Sequence, residues 1–231
     1  MVPLDSKRLI EWIEGLSLVK RGAESDIRLG VFLGLKSIFK VRRPKPYMDP
    51  QLAMSLIQGR TRKEAKILVA ARRAGVDSPR LYAVFPGIGV IVMEYVEGPT
   101  LKEYIESSGA EGSLGLVEEA GRQLGLLHRA GIVHGDPTTS NYIVSTGGRL
   151  SLIDYGLAEF SESVEDRGVD LHLFRRSIEA THAGESRVLY EAMIRGYESV
   201  MGVEARRVAE RSEEIRLRGR YVEARRRTVW G

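Results

Sequence analysis

The sequence predicts an α+β protein in two lobes, a small sheet-rich one over residues 1–96 and a mostly helical one over 97–231. Three observations predict it. Ile27, Leu29 and Val31 alternate with Asp26, Arg28 and Gly30, the period-2 pattern of a half-buried strand. Beyond residue 100 apolar residues recur at helical spacing instead, as in Val117, Ala120, Leu124 and Leu127. Between the two regimes stands Glu97-Gly98-Pro99, which marks a boundary.

The elements follow in order. Short strands over 17–21, 26–33 and 35–42 are punctuated by Gly22, Gly30 and Gly34. Asp49-Pro50 is a helix start, an N-cap acid followed by proline at the first helical position, and this helix is expected to run to about Gln58. A second helix is expected over 61–73, stopped by Gly75. Strands over 80–85 and 90–95 flank the turn Pro86-Gly87. In the second lobe Thr100-Leu101-Lys102-Glu103 reads as a capping box, and a helix over 114–130 ends at Gly131. Strands over 142–144 and 150–153 flank Thr146-Gly147-Gly148. Helices over 167–180, 187–201 and 203–218 complete the lobe.

Composition narrows the chemistry. The chain has 231 residues, a net charge of +4 and no cysteine, so disulfides, thiolate metal sites and cysteine nucleophiles are excluded. The histidines, His128, His134, His172 and His182, lack zinc-ligand spacing. The longest apolar stretch, Leu81 to Tyr95, is broken by Pro86 and two glycines and is too short for a bilayer. The first residues mix acids with bases and lack a continuous apolar core, so no signal peptide is expected. The expectation is a cytoplasmic protein without membrane contact. Arginines gather near the C-terminus, and Arg220, Arg225, Arg226 and Arg227 face only Glu223 past Leu217. Such a cluster can meet nucleic-acid phosphates, or it can be one face of a solvated helix.

Two segments carry the chemistry. His134-Gly135-Asp136-Pro137-Thr138-Thr139-Ser140-Asn141 lies between a helix and a strand, and Ile153-Asp154-Tyr155-Gly156 follows the next strand. Asp136 and Asn141 stand five positions apart, and Asp154 follows thirteen later. These are the H-x-D-x-x-x-x-N and D-x-G intervals of protein kinases and their relatives. Phosphoryl transfer needs such a set because a triphosphate carries several negative charges that Mg²⁺ must neutralise, and Mg²⁺ takes oxygen ligands. Asn141 and Asp154 suit the metal, and Asp136 suits the attacking hydroxyl or water. Upstream, Lys40 on a strand suits the phosphates, and Glu64 in the helix beyond is its expected partner, with Glu24 as the alternative. The turn Lys20-Arg21-Gly22-Ala23-Glu24-Ser25 could cover the phosphates through Gly22 and Ala23, although it holds one glycine where the kinase loop has three. Taken singly, H-G-D is more often a capped turn, D-Y-G a hairpin exit and a strand lysine a surface residue. In this order and at these intervals they point to a protein-kinase-like site.

At these residues the sequence resembles a specific family, the small atypical kinase/ATPase subunit of the KEOPS (EKC) complex of archaea and eukaryotes. The resemblance covers nearly the whole chain. It rests on Lys20-Arg21-Gly22-Ala23-Glu24, Arg62 with Glu64-Ala65, Met93-Glu94-Tyr95-Val96-Glu97-Gly98, the run from His134 to Asn141, and Asp154-Tyr155-Gly156-Leu157-Ala158. Glu165-Asp166-Arg167 with Val169-Asp170-Leu171 and the tail Arg218-Gly219-Arg220 complete it. There is no room for a long activation segment. The resemblance implies ATP hydrolysis or limited serine/threonine phosphorylation in support of threonylcarbamoyl-adenosine synthesis on tRNA. It implies ATP and Mg²⁺ as cofactors, and as partners the threonylcarbamoyl-transferase subunit and other KEOPS subunits, with tRNA reached through the basic tail. By position it makes Asp136 the catalytic base, Asn141 and Asp154 the metal ligands and Lys40 the phosphate contact. Glu94 and Val96 would offer backbone groups to adenine, and Asp170 would brace the catalytic loop.

Two residues depart from the family pattern, Pro137 for leucine and Tyr155 for phenylalanine. Proline removes a backbone donor, and the tyrosine hydroxyl needs a partner. Three alternatives stand beside the resemblance. One is a small-molecule phosphotransferase of the antibiotic-kinase type, which also uses H-G-D…N and a later Asp. Another is a RIO-type kinase, which D-Y-G-L-A with E-D…V-D-L fits less well. The third is a scaffold that binds ATP or tRNA without turnover.

Overall fold

The N-terminal region forms an antiparallel five-stranded sheet, β1 (Ser17–Arg21), β2 (Ser25–Phe32), β3 (Leu35–Arg42), β4 (Leu81–Phe85) and β5 (Val90–Glu94), in the order β1-β2-β3-β5-β4. The computed structural model describes residues 6–22, 24–45 and 47–229, with side chains described for 7–22, 24–45 and 47–218. Contacts divide the chain into two units, residues 1–69 with 79–96 and residues 70–78 with 97–231.

In the first unit the sheet is preceded by a helix beyond those expected, α1 (Ser6–Glu14). Its Ile13 is buried against Phe39, Val90 and Val92, with Leu9 and Leu16 packed alongside. Trp12 meets the Phe39 ring edge-on at 5.4 Å between centroids. The Arg28 guanidinium on β2 donates to the carbonyls of Glu14 and Leu16 at 2.7 and 2.8 Å, satisfying the end of α1. Alternation on β3 sends Phe39 into this core and Lys40 and Arg42 to the opposite face.

One helix, α2 (Pro50–Arg73), stands where two were expected. Gly59 lies in the gap between the two expected helices, but a lone helix glycine costs only about 1 kcal/mol, and packing on either side of it prevails. Ala53, Ile57, Glu64, Ala65, Leu68 and Ala71 form a continuous buried stripe past that point. Thr61, expected to open the second helix, instead donates its hydroxyl to the Ile57 carbonyl one turn back at 2.6 Å. The start is as expected, with Asp49 Oδ1 accepting the Gln51 and Leu52 N–H groups at 3.0 Å.

The second unit is helical, with two small sheets. Its first helix, α3 (Leu101–Arg129), begins at the Thr100 capping box and breaks once at Gly109, whose φ of 72° no helix accommodates. Then come β6 (Ile132–Val133), β7 (Tyr142–Val144), β8 (Leu150–Leu152) and β9 (Glu159–Phe160), in the pairs β6–β9 and β7–β8. The residue 134–141 loop leaves β6 and enters β7, while the loop bearing Asp154 leaves β8 and enters β9. Both loops therefore begin and end on paired strands.

The remaining helices are α4 (Val164–Thr181), α5 (Ser186–Met201) and α6 (Val203–Val229), the first capped by Ser163. α4 starts earlier and α6 ends later than the spacing suggested. Helices α3 and α5 touch through glycine: a Cβ on Gly121 would lie 1.9 Å from the Met193 carbonyl oxygen, and one on Gly196 would lie 1.7 Å from that of Glu118. Residues 70–78 join this unit because Asp77 reaches the hairpin. Its carbonyl accepts the Leu152 N–H at 2.8 Å, and its carboxylate accepts from Ser151 and Arg149, both at 2.8 Å. Among the described residues no helix is long and apolar enough to cross a membrane.

Candidate active site

The loop from His134 to Asn141 is held from beneath by Asp170 on α4. This carboxylate is buried, and its two oxygens accept the His134 and Gly135 backbone N–H groups at 2.7 and 2.8 Å. One of them also meets His128 Nε2 on α3 at 3.0 Å, and His128 Nδ1 meets the Tyr197 hydroxyl on α5 at 2.8 Å. Gly135 turns with φ of 79°, and a Cβ there would lie 2.7 Å from the Leu157 carbonyl oxygen. A side chain is excluded on both counts.

His134 links the two loops. Its Nδ1 accepts the Asp136 N–H at 3.3 Å and its Nε2 donates to the Ile153 carbonyl at 3.1 Å. Full burial lowers its pKa below the ordinary histidine value, and the nearby Asp170, Asp154 and Asp136 only partly oppose this. The neutral ring with its proton on Nε2 satisfies both contacts.

Asn141 donates Nδ2 to the Asp136 carbonyl at 2.8 Å and to Asp136 Oδ2 at 2.9 Å. With its amide donors so engaged, Asn141 retains Oδ1 as an acceptor. Pro137 leaves no gap. The Thr138 N–H bonds to the Asp136 carbonyl at 2.8 Å, a three-residue turn whose central φ proline supplies. The Asn141 carbonyl accepts the Ile153 N–H at 2.8 Å, bringing the 141 and 154 positions together.

Asp154 is exposed and left-handed, with φ of 64°, and its Oδ1 accepts the Gly156 N–H at 3.2 Å. Next to it Tyr155 is buried, its ring 5.1 Å from that of His134. Its hydroxyl has the partner that a polar group at this depth requires, the Ser78 hydroxyl. Burial raises the Tyr155 pKa far above the ordinary phenol value, so it stays protonated.

The first unit holds the remaining expected residues. Lys40 Nζ donates to Glu64 Oε1 at 2.7 Å, both side chains buried. Glu24 bonds instead to Arg60, at 2.8 Å. Gly22 opens a tight turn in which its N–H meets the Ser25 carbonyl at 2.9 Å, and Ala23 lies outside the described residues. Glu94 ends β5, its N–H on the Arg80 carbonyl at 2.8 Å and its Oε2 on the Arg80 N–H at 3.0 Å, while Val96 is half-buried at the unit's last position. The side chains of Arg220, Arg225, Arg226 and Arg227 lie outside the described residues.

Three participants escaped the sequence reading. Arg42 bonds to the second oxygen of Glu64, and its place two residues beyond Lys40 on one strand was an available signal. His128 and Ser78 had none, since each meets its partner, Asp170 and Tyr155, across a long stretch of chain.

The donor set fits a magnesium ion that keeps water and phosphate oxygens of its own. It offers one exposed carboxylate and one amide oxygen, with no group of three or more His, Asp or Glu side chains able to hold a metal among the described residues.

Fold and site together define an atypical kinase-like domain. The chain belongs to the RIO-domain family, whose pattern matches residues 42–179, more than half of the sequence. The RIO-type kinase, expected from D-Y-G-L-A to fit less well, is thus no separate alternative. The chain also belongs with the archaeal KEOPS subunit the resemblance pointed to. It is 43% identical over 215 residues to the KEOPS complex subunit Bud32 of Pyrococcus abyssi, covering 90% of this chain and 97% of that one. A protein of Methanothermobacter thermautotrophicus named "Probable bifunctional tRNA threonylcarbamoyladenosine biosynthesis protein" is 36% identical over 206 residues, and one of the same name from Methanospirillum hungatei is 42% identical over 202. The match spans 37% and 36% of those two longer proteins.

Proposed function

We propose that this chain is a Mg·ATP-dependent enzyme, an ATPase or a serine/threonine-directed phosphotransferase, serving threonylcarbamoyladenosine modification of tRNA as a KEOPS subunit. The observation that carries the chemistry is the hydrogen-bonded pair Asp136–Asn141, set beside Asp154 by the bond from the Ile153 N–H to the Asn141 carbonyl. The names of its relatives carry the pathway.

In this reading Asn141 Oδ1 and the Asp154 carboxylate would hold the ion. When bound, magnesium neutralises charge on the phosphate oxygens. Lys40, oriented by Glu64, contacts the phosphates, while Gly22 and Ala23 in the preceding turn cover them. Glu94 and Val96 present backbone groups to adenine. Asp136 takes the proton of the attacking hydroxyl or water as its oxygen bonds to the γ-phosphorus and the bond to the β-phosphate oxygen breaks. The Asn141 amide holds the Asp136 carboxylate in one rotamer, so little reorganisation is needed at transfer. The partners in this reading are the threonylcarbamoyl-transferase subunit and other KEOPS subunits, in the cytoplasm. Arg220, Arg225, Arg226 and Arg227 meet tRNA phosphates.

Single-turnover hydrolysis of radiolabelled ATP tests the proposal, with the protein alone, with tRNA and with the transferase subunit. Mg²⁺-dependent release of phosphate in at least one of these supports it. No release in any would leave a nucleotide- or tRNA-binding scaffold as the better description.

A further inference from the structure

Glu64 has two cations and they are not equivalent. Lys40 Nζ takes Oε1 at 2.7 Å, while Arg42 Nη2 takes Oε2. All three side chains are buried, at 6, 4 and 4% exposure for Lys40, Arg42 and Glu64. Lys40 and Arg42 sit two residues apart on β3 and so share the face opposite Phe39. Among the described residues the Arg42 side chain has no other acceptor: its Nε and Nη1 are buried and unpartnered. Burying a guanidinium with two idle donors opposes folding, and an apolar residue beside a simple Lys40–Glu64 pair would pack without that penalty. Stability alone does not account for Arg42.

We propose that Arg42 is a positioning residue that anchors Glu64, and through it α2, so that Lys40 can engage a nucleotide phosphate without stranding a buried carboxylate. This rests on the nucleotide reading above and adds to it. With Lys40 as its only partner, Glu64 would compete with phosphate for that ammonium. Because Arg42 holds the other oxygen, the helix stays fixed whether or not Lys40 turns away. The helix glutamate thus keeps its working place whichever partner Lys40 takes.

A double-mutant cycle tests this by thermal unfolding without nucleotide, alongside titration with Mg·ATP. The proteins are the wild type, Lys40→Met, Arg42→Met, the double variant and Arg42→Lys. Lys40→Met should lower Tm by about 3 °C or less when Arg42 is present, and by roughly 8 °C or more in the Arg42→Met background, where Glu64 is left alone. Equal losses in the two backgrounds would overturn the anchor. Should the double variant not fold, adding Glu64→Gln removes the stranded charge and should restore folding; failure to restore it would overturn the anchor equally. For binding, Arg42→Met should raise the Mg·ATP dissociation constant about tenfold, and Arg42→Lys, which keeps one cation on Glu64, by no more than about threefold. An unchanged constant in Arg42→Met would overturn the purpose assigned to Arg42. A wild type that binds no Mg·ATP would overturn the nucleotide reading and that purpose with it, and the nucleotide-free cycle tells the two failures apart.

Discussion

Asp170 receives two consecutive backbone N–H groups, those of His134 and Gly135, one on each carboxylate oxygen. This buried carboxylate has two amides and an imidazole around it, so its loss leaves three polar groups without their partner. Asp170→Ala should destabilise the protein by about 3–5 kcal/mol in urea unfolding. Asp170→Asn, which keeps one acceptor oxygen, should be milder. Equal losses would mean that the charge and the second oxygen contribute nothing.

Asp136 and Asp154 should separate in their effects. Asp136→Asn preserves an oxygen for the Asn141 amide but removes the proposed base, so turnover should fall about 10²–10⁴-fold while Mg·ATP affinity stays within about threefold. Asp154→Ala removes the exposed carboxylate and should weaken binding of Mg·ATP far more than that of metal-free ATP. Titrations with and without Mg²⁺ read the difference. A shared phenotype for the two variants would refute the division of roles.

Tyr155 and Ser78 form a closed pair, each the other's partner. Tyr155→Phe should cost about 1–2 kcal/mol by leaving the Ser78 hydroxyl buried and idle. Ser78→Ala on that background should recover part of the loss, because the idle group is then gone. Additive losses in a denaturation cycle would show that the two hydroxyls do not interact.

Stability should decline in mild acid. Burial holds the His134 pKa below its unfolded value of 6.5, so below that pH the unfolded chain binds a proton that the folded one resists. The His134 contribution is complete above pH 6.5 and shrinks as the pH falls toward the folded pKa. His172 is lowered as well, chiefly by burial, and adds to the slope. His134→Gln should therefore flatten the dependence between pH 6.5 and 5 without abolishing it. A variant with the wild-type slope would assign the effect elsewhere.

Much of the candidate site's geometry could be read from sequence because its residues sit on two short loops with fixed internal spacing. His134, Asp136 and Asn141 fall on one of them and Asp154 on the other, each bounded by strands. The α+β class was legible too, through alternation on β2 and helical spacing on α3. Local signals misled where packing overrode them. Gly59 and Thr61 look like a break but lie within α2, whose buried stripe runs through. The two-residue strands β6 and β9 are too short to show any period. Arg42 shares a strand face with Lys40, a local signal, but only the fold shows that both reach Glu64. Ser78 could not be matched to Tyr155 because hydrogen bonds across a distance of 77 residues leave no pattern in the chain.

The bare backbone contact at Gly121 and Gly196 gives helix packing a lever on the chemistry. Tyr197 follows Gly196 directly, and its hydroxyl steadies His128, which in turn steadies Asp170. A methyl group wedged into that seam would pry α5 from α3, carry the phenol away from the imidazole and let the loop drift. The resulting protein would keep every reactive side chain and still work poorly, more so on warming. Sluggishness of that kind, arising far from the reacting atoms, is the fault to which this architecture is most exposed.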